Sequence, residues 1–347
     1  MPGQATGKLV ASVLRQSWRS APSVFSGTDA DIETAMPILS ATGASSLAWW
    51  RLSQTGHPPT SSEDALKEAF RTHSLQAALH VRSIREVLAA FHEAGVHPLL
   101  VKGWSVARTY ADPALRPYGD IDLCVAELAA AQSALPDEVM RRNNVDLHEG
   151  GQHLIDVPFS DVLDAARTID LDGVAIRIPS PEHHLRILCL HLLYHGAWRP
   201  LWLCDIGASI EQIDAEFDWD VFLGADPVRT GWMTSTLRLA ESLLGADLSR
   251  APAVVRGARL PGWFERAVLR EWSRSHRWTS ARTLGASLAR RPWMAPFEIV
   301  RRWPDPVRAS VAFGAPFDRG WRATYQMRYS LTRLGNVGRQ LRESGRS

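Results

Sequence analysis

The sequence predicts an α+β fold in which a mixed sheet of about four to six strands, between residues 96 and 180, is flanked by helical regions on both sides. Three observations carry that expectation. Apolar residues recur at helical spacing from Lys8 to Ala94 and again from Ser180 onward. Short apolar or alternating runs, the mark of strands, are confined to the stretch between. One of these runs, "TIDLDGVAIRI", carries at Asp172 and Gly173 the residues of a two-residue β-hairpin turn. The expected division is an N-terminal helical region at 1–95, a central core at 96–180 and a C-terminal helical region at 181–347.

In chain order, residues 8–95 read as "KLVASVLRQSW", then "DADIETAMPILSATGASSLAWWRLSQ", then a long helix from Ser62 to Ala94. At the start of the last, "SSEDALKEAF" offers a serine or aspartate cap and early acids that favour the positive end of the helix dipole. Gly95 stops it, and "VHPLLVKG" is most simply a buried strand. "GWSVARTYADP" reads as one short helix ended by Pro113, followed by the loop "ALRPYG" and a strand from Asp120 to Val125. "ELAAAQSALPDEVMRRN" is a helix interrupted near Pro136. In the strand "NVDLHE", Val145 and Leu147 face the core while Asp146 and His148 face the other way. After the hairpin, "SPEHHLRILCLHLLYHGAW" opens a helix with Ser180 as cap, Pro181 at the first position and Glu182 in the first turn. Its apolar character on most sides predicts burial. From Trp198 onward the chain reads as helical segments separated by Pro and Gly, without a repeat.

Composition excludes some classes. A chain of 347 residues, 45% hydrophobic, can bury a large core, and a net charge of +2 makes no general case for nucleic acid or membrane binding. The three cysteines, Cys124, Cys189 and Cys204, are widely spaced in apolar surroundings, which supports neither a disulfide framework nor a cysteine zinc site. The N-terminus "MPGQATGKLVASVLRQSWRS" lacks the apolar core of a signal peptide, and no segment reaches the roughly 18 apolar residues of a membrane span. A cytoplasmic protein with no membrane partner is the expectation. From Arg301 onward ten arginines stand against Asp305, Asp318 and Glu343. A solvated helical surface is the favoured reading of that excess, over a site for an anionic partner such as RNA.

Chemistry concentrates around "RPYGDIDLCV". Strand alternation sends Asp120, Asp122 and Cys124 to one face and Ile121, Leu123 and Val125 to the other. Carboxylates two residues apart on a strand, with Cβ atoms about 7 Å apart, raise each other's pKa unless a cation lies between them. With Asp146 on a neighbouring strand, three carboxylates can hold two divalent cations, and hard oxygen ligands suit Mg²⁺. Such a pair of ions serves phosphoryl or nucleotidyl transfer. Upstream, Gly103 between a strand and a helix lets a polyphosphate approach the backbone. Lys102 beside it is one of three lysines, with Lys8 and Lys67, among 39 basic residues, so a compact charge is placed there. Arg108 and Arg116 are further phosphate candidates, Arg116 the better placed in the loop to Asp120. Trp104 is positioned to stack on a base. Most of the 14 tryptophans read as core, with Trp198 and Trp202 packing the later helices on the sheet. His184, His191 and His195 lie along one helix stripe; without an H-E-x-x-H pattern they read as core or cleft-floor residues rather than zinc ligands. His148 reads equally as an orienter of an acceptor hydroxyl and as a strand-end residue.

"LLVKGWSVARTYADPALRPYGDIDLCV" followed by "VDLHE" resembles the DNA polymerase β-type nucleotidyltransferase superfamily, and within it a large, mostly uncharacterised bacterial family with a K-G…R-x-x-x-D-I-D-L pattern. The resemblance runs over about 98–210 and is most specific from Pro98 to Val125. It implies that the central core is a nucleotidyltransferase core, transferring a nucleoside monophosphate from an NTP with Mg²⁺, two ions by the metal count. It makes Asp120 and Asp122 shared metal ligands and Asp146 the third, near the acceptor hydroxyl. It also keeps Lys102, Gly103, Trp104, Ser105 and Arg116 at the nucleotide, and leaves His148, His191 and His195 on the acceptor side. The sequence departs from the superfamily where Gly103 is followed by Trp104 rather than Ser or Gly, with Ser105 one place later and a long loop before Asp120. Ser105 can instead cap the helix, and Glu149 and Asp156 are alternatives to Asp146, which the alternation of its neighbours favours. The acceptor expected is a small molecule or peptide. A toxin-like transferase acting on tRNA and an inactive nucleotide-binding module are the alternatives. A kinase or hydrolase is disfavoured because neither G-x-x-x-x-G-K-[ST] nor a kinase catalytic-loop motif occurs.

Overall fold

A computed structural model describes residues 2–54, 61–274 and 303–344. Helices α1 (Ala5–Leu14), α2 (Asp29–Thr42), α3 (Ser45–Ser53) and α4 (Ser61–Glu93) precede the sheet. A capping box starts α2: the Thr28 hydroxyl accepts from the Asp31 amide while the Asp31 carboxylate accepts from the Thr28 amide. Gly43, at φ 73°, ends α2, so the stretch read as one helical segment across 29–54 is two helices. The 33 residues of α4 span two packing environments. Leu66 sits among α2 and α3, whereas Ile84, Val87, Leu88 and Phe91 lie under the sheet.

The expected α+β architecture is present. Strands β1 (Leu99–Leu100), β2 (Ile121–Val125), β3 (Val145–Glu149), β4 (Arg167–Leu171) and β5 (Val174–Ile178) form a five-stranded mixed sheet in the order β3-β2-β1-β5-β4. β2 and β3 run parallel, as do β1 and β5; the other two pairings are antiparallel. Asp172 (φ 49°) and Gly173 (φ 87°) make the β4–β5 turn, as their residue types require. Helix α5 (Gly103–Ala107) stops well before Pro113, which instead opens a 3₁₀ turn capped by Asp112. α6 (Leu128–Ala134) and α7 (Asp137–Arg142) flank Pro136, and α8 (Phe159–Asp164) leads into the hairpin.

Alternation divides the sheet's faces. Leu100, Ile121, Leu123, Val125, Ile176 and Ile178 pack with α4 and α6, each fully buried Leu or Ile contributing ~1.5–3 kcal/mol. Leu99, Val101 and Cys124 turn the other way, toward α9 (Pro181–Tyr194) and α10 (Pro200–Glu211). The Ser180 side chain accepts from the His183 amide at the start of α9, as the sequence requires. α11 (Trp219–Leu223), α12 (Pro227–Leu239, continued by a π-turn at Ala240–Leu244), α13 (Ala253–Arg256) and α14 (Gly262–Glu271) complete this mass. It shares one apolar core with α1–α3. A Cβ at Gly7 would collide with the Leu269 carbonyl, and the Gly7 amide donates to Ser273 Oγ at 2.8 Å.

Beyond it lie the helices Pro306–Ala312 and Arg322–Ser344. As the solvated-surface reading expects, Arg308, Arg319, Arg328 and Arg333 are exposed, while Arg322 is partly buried 4.3 Å from the Trp263 ring centroid. Arg301, Arg302 and Arg346, and the side chains of Arg339 and Arg342, lie outside the described residues. Cys124, Cys189 and Cys204 are buried and free. Among the described residues no helix is long and apolar enough to cross a membrane.

Candidate active site

Parallel pairing of β2 with β3 sets Asp122 opposite Asp146 and Cys124 opposite His148. Side chains in register on adjacent strands of one face are neighbours, so Asp122, Asp146 and His148 converge, with ligating atoms all within 4.8 Å of one another. His148 Nε2 lies 3.3 Å from both Asp122 Oδ1 and Asp146 Oδ2, and 3.0 Å from Gln152 Nε2. Asp122 is buried and Asp146 is exposed. Lys102, in the left-handed region at φ 53°, turns its ammonium onto Asp122 Oδ1 at 2.6 Å. Burial works against ionisation of Asp122, but the His148 hydrogen bond and the Lys102 charge outweigh it and hold the carboxyl below its ordinary range. Gly103 follows at φ 39°, close against the Asp120 carbonyl.

These residues form one wall of a cleft of about 710 Å³ between the sheet and the helices, also lined by Asp120, Gln152, His153, His191, His195, Trp198, Arg199, Trp202, Gly43 and His73. Asp120 precedes β2, is exposed at the cleft and stands outside the Asp122–Asp146–His148 cluster. Asp120 and Asp122 thus line the same cleft, and the carboxylate nearest Asp122 in the cluster comes from the paired strand, at Asp146.

Of the other nucleotide candidates, Arg116 lines the cleft but is committed to an acid, while Trp104 and Ser105 lie away from it. Arg116, read as a phosphate ligand, is buried and donates from Nε and Nη2 to Asp205 at 3.0 and 2.8 Å, while the Tyr110 hydroxyl donates to the same carboxylate at 2.6 Å. Burial disfavours the Arg116 charge, and Asp205 more than compensates, raising its pKa. A buried guanidinium needs a counter-ion, and Asp205 on α10 is that ion; the pair ties the turn before β2 to the helices. Trp104, read as a stacking partner for a base, is 7% exposed and packs in the apolar layer with Ile84 and Leu100, under the Arg108 guanidinium at 5.4 Å. Ser105, one residue further round α5, points to the opposite side, 3.1 Å from His184 Nε2. Ser105, Arg108 and His184 border a separate hollow of about 270 Å³.

His191 and His195 line the cleft, but His184 does not, so the expected stripe divides between two pockets. His191, His195 and Trp202 form a contact group with centroids 4.4 to 5.2 Å apart, and His153 joins at 5.7 Å from His191. Burial lowers His195 to about 4 and His153 to about 4, and puts His191 well below its ordinary value, so this wall is neutral at pH 7. The sequence reading passed over His153, Arg199, His73 and Gln152, none of which sits in a motif. Trp198 and Trp202, two aromatics bracketing Arg199 and Pro200, were the available signal for that part of the wall.

Residues 28–154 and 136–244 match the family described as "Uncharacterised nucleotidyltransferase". The chain belongs to that family. The matched segments contain every residue that lines the cleft, so the nucleotidyltransferase family and the geometry point to the same place. No curated protein and no solved structure matches the chain.

Proposed function

We propose that this nucleotidyltransferase moves a nucleoside monophosphate from an NTP to a hydroxyl of a small-molecule or peptide acceptor, releasing pyrophosphate, with Mg²⁺ as cofactor. The observation that carries the reading is the Asp122–Asp146–His148 cluster, set beside Lys102 on the wall of a nucleotide-sized cleft. The donor set fits a divalent cation: two carboxylates on paired strands, one held ionised by its surroundings. Asp122 and Asp146 would hold it with His148 alongside, and Asp120, apart from the cluster, is the carboxylate for a second ion. An ion bound there would supply charge neutralisation at the phosphates and a lowered pKa for the acceptor hydroxyl.

The chain's own groups set the rest. The acceptor oxygen attacks the α-phosphorus, a new P–O bond forms, and the bond to the bridging oxygen breaks with its electron pair on pyrophosphate. Asp146, with its side chain 59% exposed beside His148, takes the hydroxyl proton. Lys102 offsets negative charge at Asp122. The neutral wall of His191, His195 and Trp202 excludes water and offers ring faces to the substrates.

The cleft volume favours a small acceptor over tRNA. The test is calorimetric titration of each NTP, with and without Mg²⁺, into wild type and Asp122→Asn/Asp146→Asn, followed by an assay of pyrophosphate release across an acceptor panel. Mg²⁺-dependent binding of an NTP, lost in the folded double variant, is expected. Equal binding by the variant would sink the metal-nucleotide site. Tight binding with no release across the panel would instead favour the inactive module.

A further inference from the structure

The cleft presents three permanent cations among the described residues: Lys102, Arg116 and Arg199. Two are already neutralised, Lys102 by Asp122 at 2.6 Å and Arg116 by Asp205 at 2.8 Å. Arg199 has no carboxylate partner among the described residues. Its Nε donates to the Thr42 carbonyl at 2.7 Å and its guanidinium carbon lies 5.9 Å from the Trp202 ring centroid, which fixes the plane of the group. Nη1 and Nη2 make no hydrogen bond to the described residues. Gly43 is part of this arrangement, because a Cβ there would come within 2.7 Å of Arg199 Nη2. Burial, and then Arg116, push the Arg199 pKa down to about 10 against the opposing pull of Asp205 and Asp120, which still leaves it charged at pH 7.

Arg199 is partly buried on the wall of the cleft, and two Nη groups in one plane with no hydrogen bond to the described residues match two oxygens of a phosphate. We infer that Arg199 binds the terminal phosphates of the nucleotide donor, an inference that rests on the nucleotidyl-transfer reading above. The leaving pyrophosphate takes the electron pair of the broken bond, and that charge has to be met by a cation. Among the chain's own cations at the cleft, Lys102 is committed to Asp122 and Arg116 to Asp205. Arg199 is the group left to receive it, and Gly43 keeps the space for its guanidinium open.

The experiment is calorimetry on the full chain with Mg²⁺, using the NTP found for wild type, the corresponding nucleoside monophosphate, inorganic tripolyphosphate and inorganic phosphate. Wild type is compared with Arg199→Gln and Arg199→Lys. Arg199→Gln is expected to weaken NTP and tripolyphosphate about 10- to 100-fold while the monophosphate changes less than about twofold, with Arg199→Lys between. Thermal unfolding without ligand separates this from a scaffold role: Arg199→Gln is expected to melt within a few degrees of the wild-type temperature, since one hydrogen bond, to Thr42, is lost. Unchanged NTP affinity in Arg199→Gln overturns the inference, as does equal weakening of NTP and monophosphate with a lowered melting temperature. Weakened inorganic phosphate beside unchanged NTP gives the anion to the acceptor and overturns it too. Failure of wild type to bind any NTP is a different result: it removes the nucleotidyl-transfer reading and the inference with it.

Discussion

Asp205→Asn tests whether the Arg116 pair anchors the active site. Asp205 is fully buried and receives Arg116 Nε at 3.0 Å, Arg116 Nη2 at 2.8 Å and the Tyr110 hydroxyl at 2.6 Å. Asparagine keeps the shape but removes the charge and turns an amide donor toward a guanidinium donor. Breaking a buried ion pair from one side costs about 3–5 kcal/mol, because the remaining charge stays in the interior. Arg116→Met should cost a similar amount by stranding Asp205. In Arg116→Met/Asp205→Leu both charges leave together, and what remains is an unpaired Tyr110 hydroxyl worth about 1–3 kcal/mol. The double variant is therefore expected to be more stable than either single one, with a coupling energy of at least about 3 kcal/mol. Urea unfolding followed by tryptophan fluorescence at pH 7 supplies the four stabilities. NTP titration of Asp205→Asn should show weaker binding as well, since the pair holds the turn that leads to Asp120. Single-variant costs under about 1 kcal/mol, or a double variant whose cost is the sum of the singles, would refute the anchoring role.

Two further predictions concern the back of α5. His184 is buried and held at about 4, so below pH 6.5 the unfolded chain takes up a proton that the folded chain refuses until pH 4. Stability contributed by neutral His184 is thus intact at pH 7 and is lost as pH falls from 6.5 to 4; in His184→Gln that acid slope should flatten by on the order of 1 kcal/mol per pH unit, read from urea midpoints at several pH values, and an unchanged slope would refute it. Trp104→Phe should cost about 1–3 kcal/mol of stability by thinning the layer under the sheet while leaving NTP affinity unaltered. A tenfold loss of NTP binding in that variant would return Trp104 to the nucleotide site.

What the sequence made legible was local. Period-two alternation over five residues sufficed for β2 and β3, and it favoured Asp146 over Asp156, which the structure pairs with Arg186 and Arg229. Ser180 and Pro181, and Asp172 and Gly173, act on neighbours a few residues away, so their meaning survives without the rest of the fold. Arg116 could not be read this way: its partner Asp205 lies 89 residues on, and an arginine committed to a distant acid looks the same in sequence as one awaiting phosphate. Arg199 depends on Thr42, 157 residues earlier. Trp104 and Ser105 were misplaced because a five-residue helix offers too little periodicity to fix which side faces the cleft. His148 joined the two aspartates because strand register, which is a tertiary property, put it there.

The shared core of α1–α3 and α9–α14 also sets a schedule. The Gly7 amide and its acceptor Ser273 are separated by 266 positions, so α1 leaves the ribosome long before α14 exists to cover it. At the usual pace of synthesis that wait is roughly 15–50 s. During it Val10, Val13 and Leu14, all of them solvent-free in the finished protein, have only α2 and α3 to pack against. The helices around the cleft are assembled from both early and late chain, so the face of α1 that meets α14 is among the last parts of the core to close.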